Sequence, residues 1–296
     1  MKIYNFGSIN VDYVYAVESI VRPGETISAK GMQSFPGGKG ANQTVAMCRA
    51  GAKVVHVGQV GEDTKWMKDI LAAEGADVEN VLVAKGTPGG CAIIQVEASG
   101  QNSIIVLGGT NQCIPEQLVE DVLLNASADE WVTLQNEINL TPLAMKAAKK
   151  HGLKVCFNPS PMTDAIAKYP LDCVDLLVVN ESEATVLAAL PEGAAPEDAA
   201  KAIYARYCTP MICITLGGKG AMLFQNGGDA IRQDAFKVKA VDTTGAGDTF
   251  TGYLLAGISQ GLELAAALER AARAASISVS RNGAIPSIPF AAEVFQ

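Results

Sequence analysis

The chain has 296 residues, which at roughly 150 per domain allows one large domain or two modest ones. Hydrophobic residues make up 49% and charged residues 18%, which excludes a disordered or fibrous chain. With 23 Lys and Arg against 31 Asp and Glu, the formal charge of −8 argues against nucleic acid as the main partner, a local basic patch apart.

The first seven residues carry one basic side chain and no long apolar stretch, so no signal peptide is expected. A short apolar run at 3–6 predicts a buried strand ending at Gly7-Ser8. Residues 11–35 alternate like a hairpin about Pro23-Gly24. A helix at 41–50, a strand at 53–57 and a helix at 64–74 follow. Residues 81–107 return to alternation, with turns at Thr87-Pro88-Gly89 and Ser99-Gly100-Gln101. Then come a strand at 131–134, a helix at 141–151, and strands at 154–157 and 176–179. Helices at 181–190 and 196–207, a strand at 211–216 and helices at 249–260 and 262–282 complete the pattern.

This order predicts the α/β class, with a large parallel sheet flanked by helices. The two alternating stretches predict a small antiparallel sheet, inserted from about 11–35 and 81–107 into a single domain spanning 1–296. Such a sheet is placed to cover a site as a lid. In parallel sheets ligands bind beyond the carboxyl ends of the strands, so the polar residues there are the place to look. No apolar run reaches the about 18 residues a membrane helix needs, so no membrane partner is expected. The 7 cysteines are odd in number and lack a C-x-x-C, which fits a reducing, cytoplasmic setting. Glycine is in excess: 29 residues, about a tenth of the chain, against a usual share of roughly 7%.

Three glycine-bearing stretches carry chemistry. In Val241-Asp242-Thr243-Thr244-Gly245-Ala246-Gly247-Asp248-Thr249-Phe250, small residues let backbone N–H groups converge at a helix start, an anion hole reinforced by the helix dipole. Asp248 beside it suits a base that takes a proton from an attacking hydroxyl during phosphoryl transfer. The plainer alternative makes Asp248 an N-cap and the glycines an ordinary turn. In Pro36-Gly37-Gly38-Lys39-Gly40-Ala41-Asn42-Gln43, Gln33 and Gly40 break the Walker A pattern, and no G-x-G-x-x-G stands at 38, 218 or 245. Lys39 and Asn42 suit hydroxyl recognition, or else form a helix entry turn with a solvated lysine. In Gly7-Ser8-Ile9-Asn10-Val11-Asp12, Asn10 and Asp12 share one strand face, a pairing that suits vicinal hydroxyls and also occurs in polar turns. Weaker pieces are Gln135 and Glu137, Asn180 and Glu183, and Thr215-Leu216-Gly217-Gly218-Lys219-Gly220. Glu183 sits where an acid can hold hydrated Mg²⁺ or simply favour a helix dipole. His56 and His151 lack metal-ligand spacing and read as structural or solvated.

Together these pieces resemble the ribokinase-like family of carbohydrate kinases, from Asn5 to about Pro289. The Gly-Gly-Lys-Gly-Ala-Asn-Gln loop and the Asp-Thr-x-Gly-Ala-Gly-Asp run match its two signatures, and the loop is most similar to the ribokinase branch. The resemblance implies an ATP-dependent kinase acting on a primary hydroxyl of D-ribose or a similar pentose. Another sugar, a nucleoside, or a non-catalytic sugar-binding regulator are the alternatives. It implies Asp248 as base, with the amides of Gly245, Ala246 and Gly247 holding the γ-phosphoryl. Asn10, Asp12, Gly38, Lys39, Asn42 and Glu137 would bind sugar. Asn180 and Glu183 would serve phosphate and Mg²⁺, and Thr215, Gly217, Gly218, Lys219 and Gly220 would line the ATP site. A K⁺ site would fall at Asp242, Thr244, Ser278, Arg281, Gly283 and Ser287. The lids would pack in a homodimer. The chain departs from the family pattern at Tyr253, normally small, and at Gly89-Gly90-Cys91, normally a Thr-Gly-containing lid segment.

Overall fold

A computed structural model describes residues 1–295. The first half of the chain forms β1 (Lys2–Phe6), β2 (Asn10–Val17), β3 (Gly31–Gly37), α1 (Lys39–Arg49), β4 (Lys53–Gly61), α2 (Trp66–Ala73), β5 (Val81–Ala84), β6 (Gly90–Glu97), β7 (Asn102–Leu107) and α3 (Gln117–Leu123). The second half forms β8 (Trp131–Gln135), α4 (Thr141–Lys150), β9 (Lys154–Asn158), β10 (Leu176–Asn180), α5 (Glu181–Ala188), α6 (Pro196–Tyr207) and β11 (Met211–Thr215). It ends with β12 (Ala221–Gln225), β13 (Ala230–Gln233), α7 (Ala246–Ser259), α8 (Leu264–Val279) and α9 (Ala291–Val294).

Nine strands form one sheet in the order β13-β12-β11-β10-β9-β8-β1-β4-β5. It is parallel from β11 to β5, and β12 and β13 extend it antiparallel. Both faces are covered, which is why its strands read as unbroken apolar runs. Tyr4, Phe6, Val132 and Leu134 point into one apolar cluster, and Ile3, Val54 and Trp131 into the other. Each fully buried side chain of this size contributes about 1.5–3 kcal/mol.

From β1 the chain builds outward to β4 and β5. It then returns to β8 on the other side of β1 and continues through β9, β10 and β11. The reversal falls between β1 and β8, where a crevice opens at the carboxyl ends of the strands.

The second sheet has the order β3-β2-β6-β7. Its two hairpins are antiparallel, and a parallel pairing of β2 with β6 joins them. One boundary differs from expectation: residues 81–84 belong to the large sheet, beside β4. Their short apolar run suits a strand buried in either sheet, and only the partner strand decides. The hairpin therefore begins at Gly90.

Candidate active site

The crevice between β1 and β8 is where the glycine loop, the four-stranded sheet and α7 meet. Ser8 follows β1 and Glu137 follows β8. The Ser8 hydroxyl donates to Glu137 Oε2, which also accepts from the Lys39 backbone N–H at 3.2 Å. Ala41 N donates to Ser8 O at 2.9 Å, seating the start of α1 on the end of β1. Burial pushes the Glu137 carboxyl above its ordinary range, against the bonds from Ser8 and Lys39.

Asp12 and Asn10 lie on the lid face that looks into this crevice. Burial pushes the Asp12 carboxyl up to about 6, and the charges of Glu137 and Asp248 add to it. Lys39 is not a solvated lysine. The charge of Asp248 chiefly, then those of Glu137 and Glu183, hold its ammonium above the ordinary value in spite of burial. Three acids from distant parts of the chain thus converge on one cation.

Asn10 is oriented by Asn111, whose Nδ2 donates to Asn10 Oδ1 at 2.8 Å. Asn111 also bonds both backbone groups of Ile9. A Cβ on Gly90 would stand 2.2 Å from Asn111 Nδ2 and 2.3 Å from Asn10 Oδ1, so the lid segment needs glycine there. A cleft of about 340 Å³ is lined by Asn10, Val106, Asn111, Gln112, Asn136 and Glu137, among others. That size suits a small polar molecule such as a monosaccharide.

Asp248 is buried in the first turn of α7. It is not an N-cap, because that position belongs to Gly245, at φ +73°. Asn42 Nδ2 donates to Asp248 Oδ2 at 2.9 Å and Gln43 Nε2 donates to Oδ1 at 3.0 Å. Close packing of α1 on α7 makes this possible. A Cβ on Gly252 would come within 2.5 Å of Ala46 Cβ, and one turn earlier the same approach places Gln43 beside Asp248. Asn42 therefore holds the carboxylate, and its own Oδ1 is buried without a partner.

The first-turn N–H groups of α7 have no acceptor four residues back. Ala246 N reaches Thr243 O at 3.3 Å, while Gly247 and Asp248 have no backbone acceptor. Gly245 N is likewise without an acceptor, so free N–H groups stand at Gly245 and Gly247, where the anion hole is expected, with that of Asp248 beside them. Tyr253, the bulky departure, is fully buried and donates its hydroxyl to Pro289 O at 2.8 Å, tying α7 to the C-terminal segment.

The nucleotide-side residues are partly engaged in local structure. Asn180 and Glu183 form a capping box on α5: Glu183 N donates to Asn180 Oδ1 at 2.8 Å, and Asn180 N donates to Glu183 Oε2 at 3.0 Å. Only Oε2 of Glu183 is used, and its charge adds to those that raise the Lys39 ammonium. Thr215 Oγ1 donates to Val179 O at 3.3 Å. Gly217 and Gly218 face open space, and Lys219 pairs loosely with Glu181 at 3.6 Å.

The six residues expected around K⁺ divide. Asp242 accepts from Thr244 N at 2.9 Å, Thr244 Oγ1 at 2.7 Å and Gly283 N at 2.9 Å. Ser278 and Ser287 bond each other at 2.8 Å, and the Arg281 side chain pairs with Glu293. The loops before α7 and after α8 therefore meet at an acidic, oxygen-rich junction that fits a monovalent cation. The Arg281 side chain plays no part in it.

Ser8, Gln43, Asn111 and Asn136 were not singled out from the sequence. Ser8, Gln43 and Asn136 adjoin residues that were, whereas Asn111 lies in a short helical turn, Gly109–Gln112, without a motif. Its part follows only from the approach of that turn to Ile9.

Residues 2–291 match the pfkB family of carbohydrate kinases. The chain is 36% identical to the ribokinase of Haemophilus influenzae over 98% of this chain and 96% of that one. Its fold superposes on a ribokinase from Cryptococcus neoformans var. grubii solved with ADP, with a TM-score of 0.87, 33% identity and 99% and 98% coverage. Arabidopsis thaliana ribokinase, solved with ribose and ATP, gives a TM-score of 0.86, 32% identity and 99% and 97% coverage. A full-length match of this kind, on top of the paired signatures and the buried Asp248, places the chain in the pfkB family of carbohydrate kinases.

Proposed function

We propose that the protein is an ATP-dependent ribose kinase that transfers the γ-phosphoryl to the primary hydroxyl of D-ribose. The observation that carries this is the placement of Asp248. It is a buried carboxylate gripped at both oxygens, in the first turn of α7 beside unbonded helix N–H groups.

In this reading Asp12, Asn10, Glu137 and the Gly38-Lys39 backbone hold the sugar hydroxyls, and Asn42 Oδ1 accepts from one of them. The lone pairs of Asp248 not used by Asn42 and Gln43 take the hydroxyl proton as the oxygen attacks phosphorus. The free N–H groups of Gly245, Gly247 and Asp248, with that of Ala246 once it leaves Thr243 O, hold the phosphoryl oxygens as charge shifts toward the leaving ADP. Lys39 lies between the three acids and balances their charge. Thr215 and residues 217–220 line the nucleotide. Asn180 and the free oxygen of Glu183 would hold Mg²⁺ with its waters, which neutralises phosphate charge when bound. Asp242, Thr244 and Gly283, with Ser278 and Ser287 beside them, would hold K⁺. The four-stranded sheet acts as a lid inserted in one α/β domain, and two lids meet in a homodimer. The net charge of −8 gives nucleic acid no footing. Among the described residues no helix is long and apolar enough to cross a membrane. All 7 cysteines are free, which supports a cytoplasmic setting.

The test is ADP release with ATP, Mg²⁺ and a panel of ribose, deoxyribose, other sugars and nucleosides. Ribose is expected to give the highest kcat/KM. No pentose-dependent release would sink the proposal, and a preference for a nucleoside would move it to that substrate. Asp248→Asn is expected to lose on the order of 10³-fold or more in kcat while still binding sugar by calorimetry.

A further inference from the structure

A string of buried polar side chains runs under the crevice, and of these only Gln43 enters the chemistry just described, through its bond to Asp248. Asn5, Gln43, Thr44, His56 and Gln135 are all buried, with Asn5, Thr44 and His56 fully so. We infer that Gln43 is a positioning residue for the Asp248 carboxylate, and that a one-way chain of hydrogen bonds starting at His56 decides which end of the Gln43 carboxamide meets it. The inference rests on Asp248 being the base.

The direction follows atom by atom. Gly7 O can only accept, so His56 Nε2, at 3.2 Å, carries the ring proton. Burial pulls the imidazole down to about 4, against the bond to Gly7, so at neutral pH Nδ1 holds a lone pair. Thr44 Oγ1, 2.7 Å away, must donate to that lone pair. With its proton spent, Thr44 accepts from Asn5 Nδ2 at 2.7 Å, and the second N–H of Asn5 goes to Gly40 O at 2.7 Å. Asn5 Oδ1 therefore faces Gln135, whose Nε2 donates to it at 3.1 Å and to Gln43 Oε1 at 2.8 Å. The oxygen of Gln43 is thereby occupied, and its Nε2 is the end that meets Asp248 Oδ1 at 3.0 Å.

A second anchor gives the same answer independently. Asn158 Nδ2 donates to Val178 O at 2.9 Å, so Asn158 Oδ1 is the atom that faces Gln43 Nε2 at 3.4 Å. A flipped Gln43 would set its oxygen against a carboxylate and an amide oxygen, and its amine against the amine of Gln135. Each mismatch is unscreened at a buried site. The chain even tolerates one orphan to keep this sense: Gln135 Oε1 is buried without a partner while both of its N–H groups are claimed. Asn42 secures Oδ2 and Gln43 secures Oδ1, so the plane of the carboxylate is fixed before the substrate arrives. A group held this way is in reacting position without further ordering.

The test uses isosteric variants of the whole protein. Gln43→Met is expected to lower kcat on the order of 10²-fold, the usual scale for a misplaced reacting group, with sugar KM within about threefold. Thr44→Val, which breaks the far link, is expected to lower kcat about tenfold, and Thr44→Ser to restore it, since only the hydroxyl matters. A Gln43→Met enzyme within about threefold of normal kcat, or Thr44→Ser as impaired as Thr44→Val, would overturn the inference. If Gln43→Met fails to fold, the Thr44 pair decides alone. Asp248→Asn is the control. If it keeps its turnover, the base assignment and this inference fall together. If it is inactive beside a normal Gln43→Met, only the positioning role falls.

Discussion

Asp12 carries its charge at a cost. Burial and two nearby carboxylates push its proton affinity up to about 6, from 3.8 for a free side chain. Folding therefore takes up a proton between those two values. The contribution of this group to stability rises as pH falls from about 6 toward 4, the reverse of a salt-bridged acid. At neutral pH the charge costs stability and serves binding, because an ionised carboxylate accepts strongly from hydroxyls. Two results are expected. Sugar KM should climb as pH drops through about 6, and Asp12→Asn should abolish that limb while raising KM roughly 10- to 100-fold at pH 8. The same variant should melt higher than wild type at pH 8 without sugar. A lower melting temperature there would show that the charge is compensated. Asp12 and Asp248 were legible in the sequence because each stands in a compact motif at a strand or helix end. Gln43 and His56 were not. Gln43 ends the signature loop but finds Asp248 across 205 residues of chain, and the partners of His56 come from the end of β1 and from α1, so no local pattern reveals what either one meets.

At the scale of elements, the alternation of strands and helices was readable because buried parallel strands are apolar throughout. The edges were harder to read. β12 and β13 were not anticipated, since after β11 the glycines at 217, 218 and 220 signal a loop with no strand to follow. The start of α7 is where element and chemistry coincide. Asp242 sits just before it, and three hydrogen-bond donors from Thr244 and Gly283 hold its carboxyl below the ordinary range, although burial pulls the other way. A fixed negative charge next to an anion hole opposes the phosphoryl group unless a cation offsets it. K⁺ is expected to raise both kcat and melting temperature relative to tetramethylammonium at equal ionic strength. Asp242→Asn should remove both effects. Equal melting curves in the two salts would leave the junction of these loops as a purely structural tie.

The whole molecule leaves the lid conspicuously apolar. β7 is an edge strand with unpaired backbone groups, and Ile104, Ile105, Val106 and Leu107 are each more than half exposed. Pairing across the lid puts Ile104 opposite Ile94, and Ile94 beside Val14, on the same face as Asn10 and Asp12. An apolar strip therefore runs outward from the sugar cleft, along an edge that a soluble protein ordinarily protects. The existence of the two hairpins was readable from alternation and turns. Their exposure was not, because the same alternation describes a lid packed on its own core. Val106 lines the cleft, so whatever covers the strip also stiffens the wall of the site. A second copy of the lid offers matching apolar area and a matching edge. Light scattering is expected to give a dimer at micromolar concentration. Ile104→Lys should yield a folded monomer, since a charge on that face cannot be buried without a partner. Its sugar KM should rise several-fold with kcat nearly unchanged, because the loosened lid is a binding wall and carries no reacting group. A wild-type monomer with normal sugar affinity would assign the strip to some other purpose.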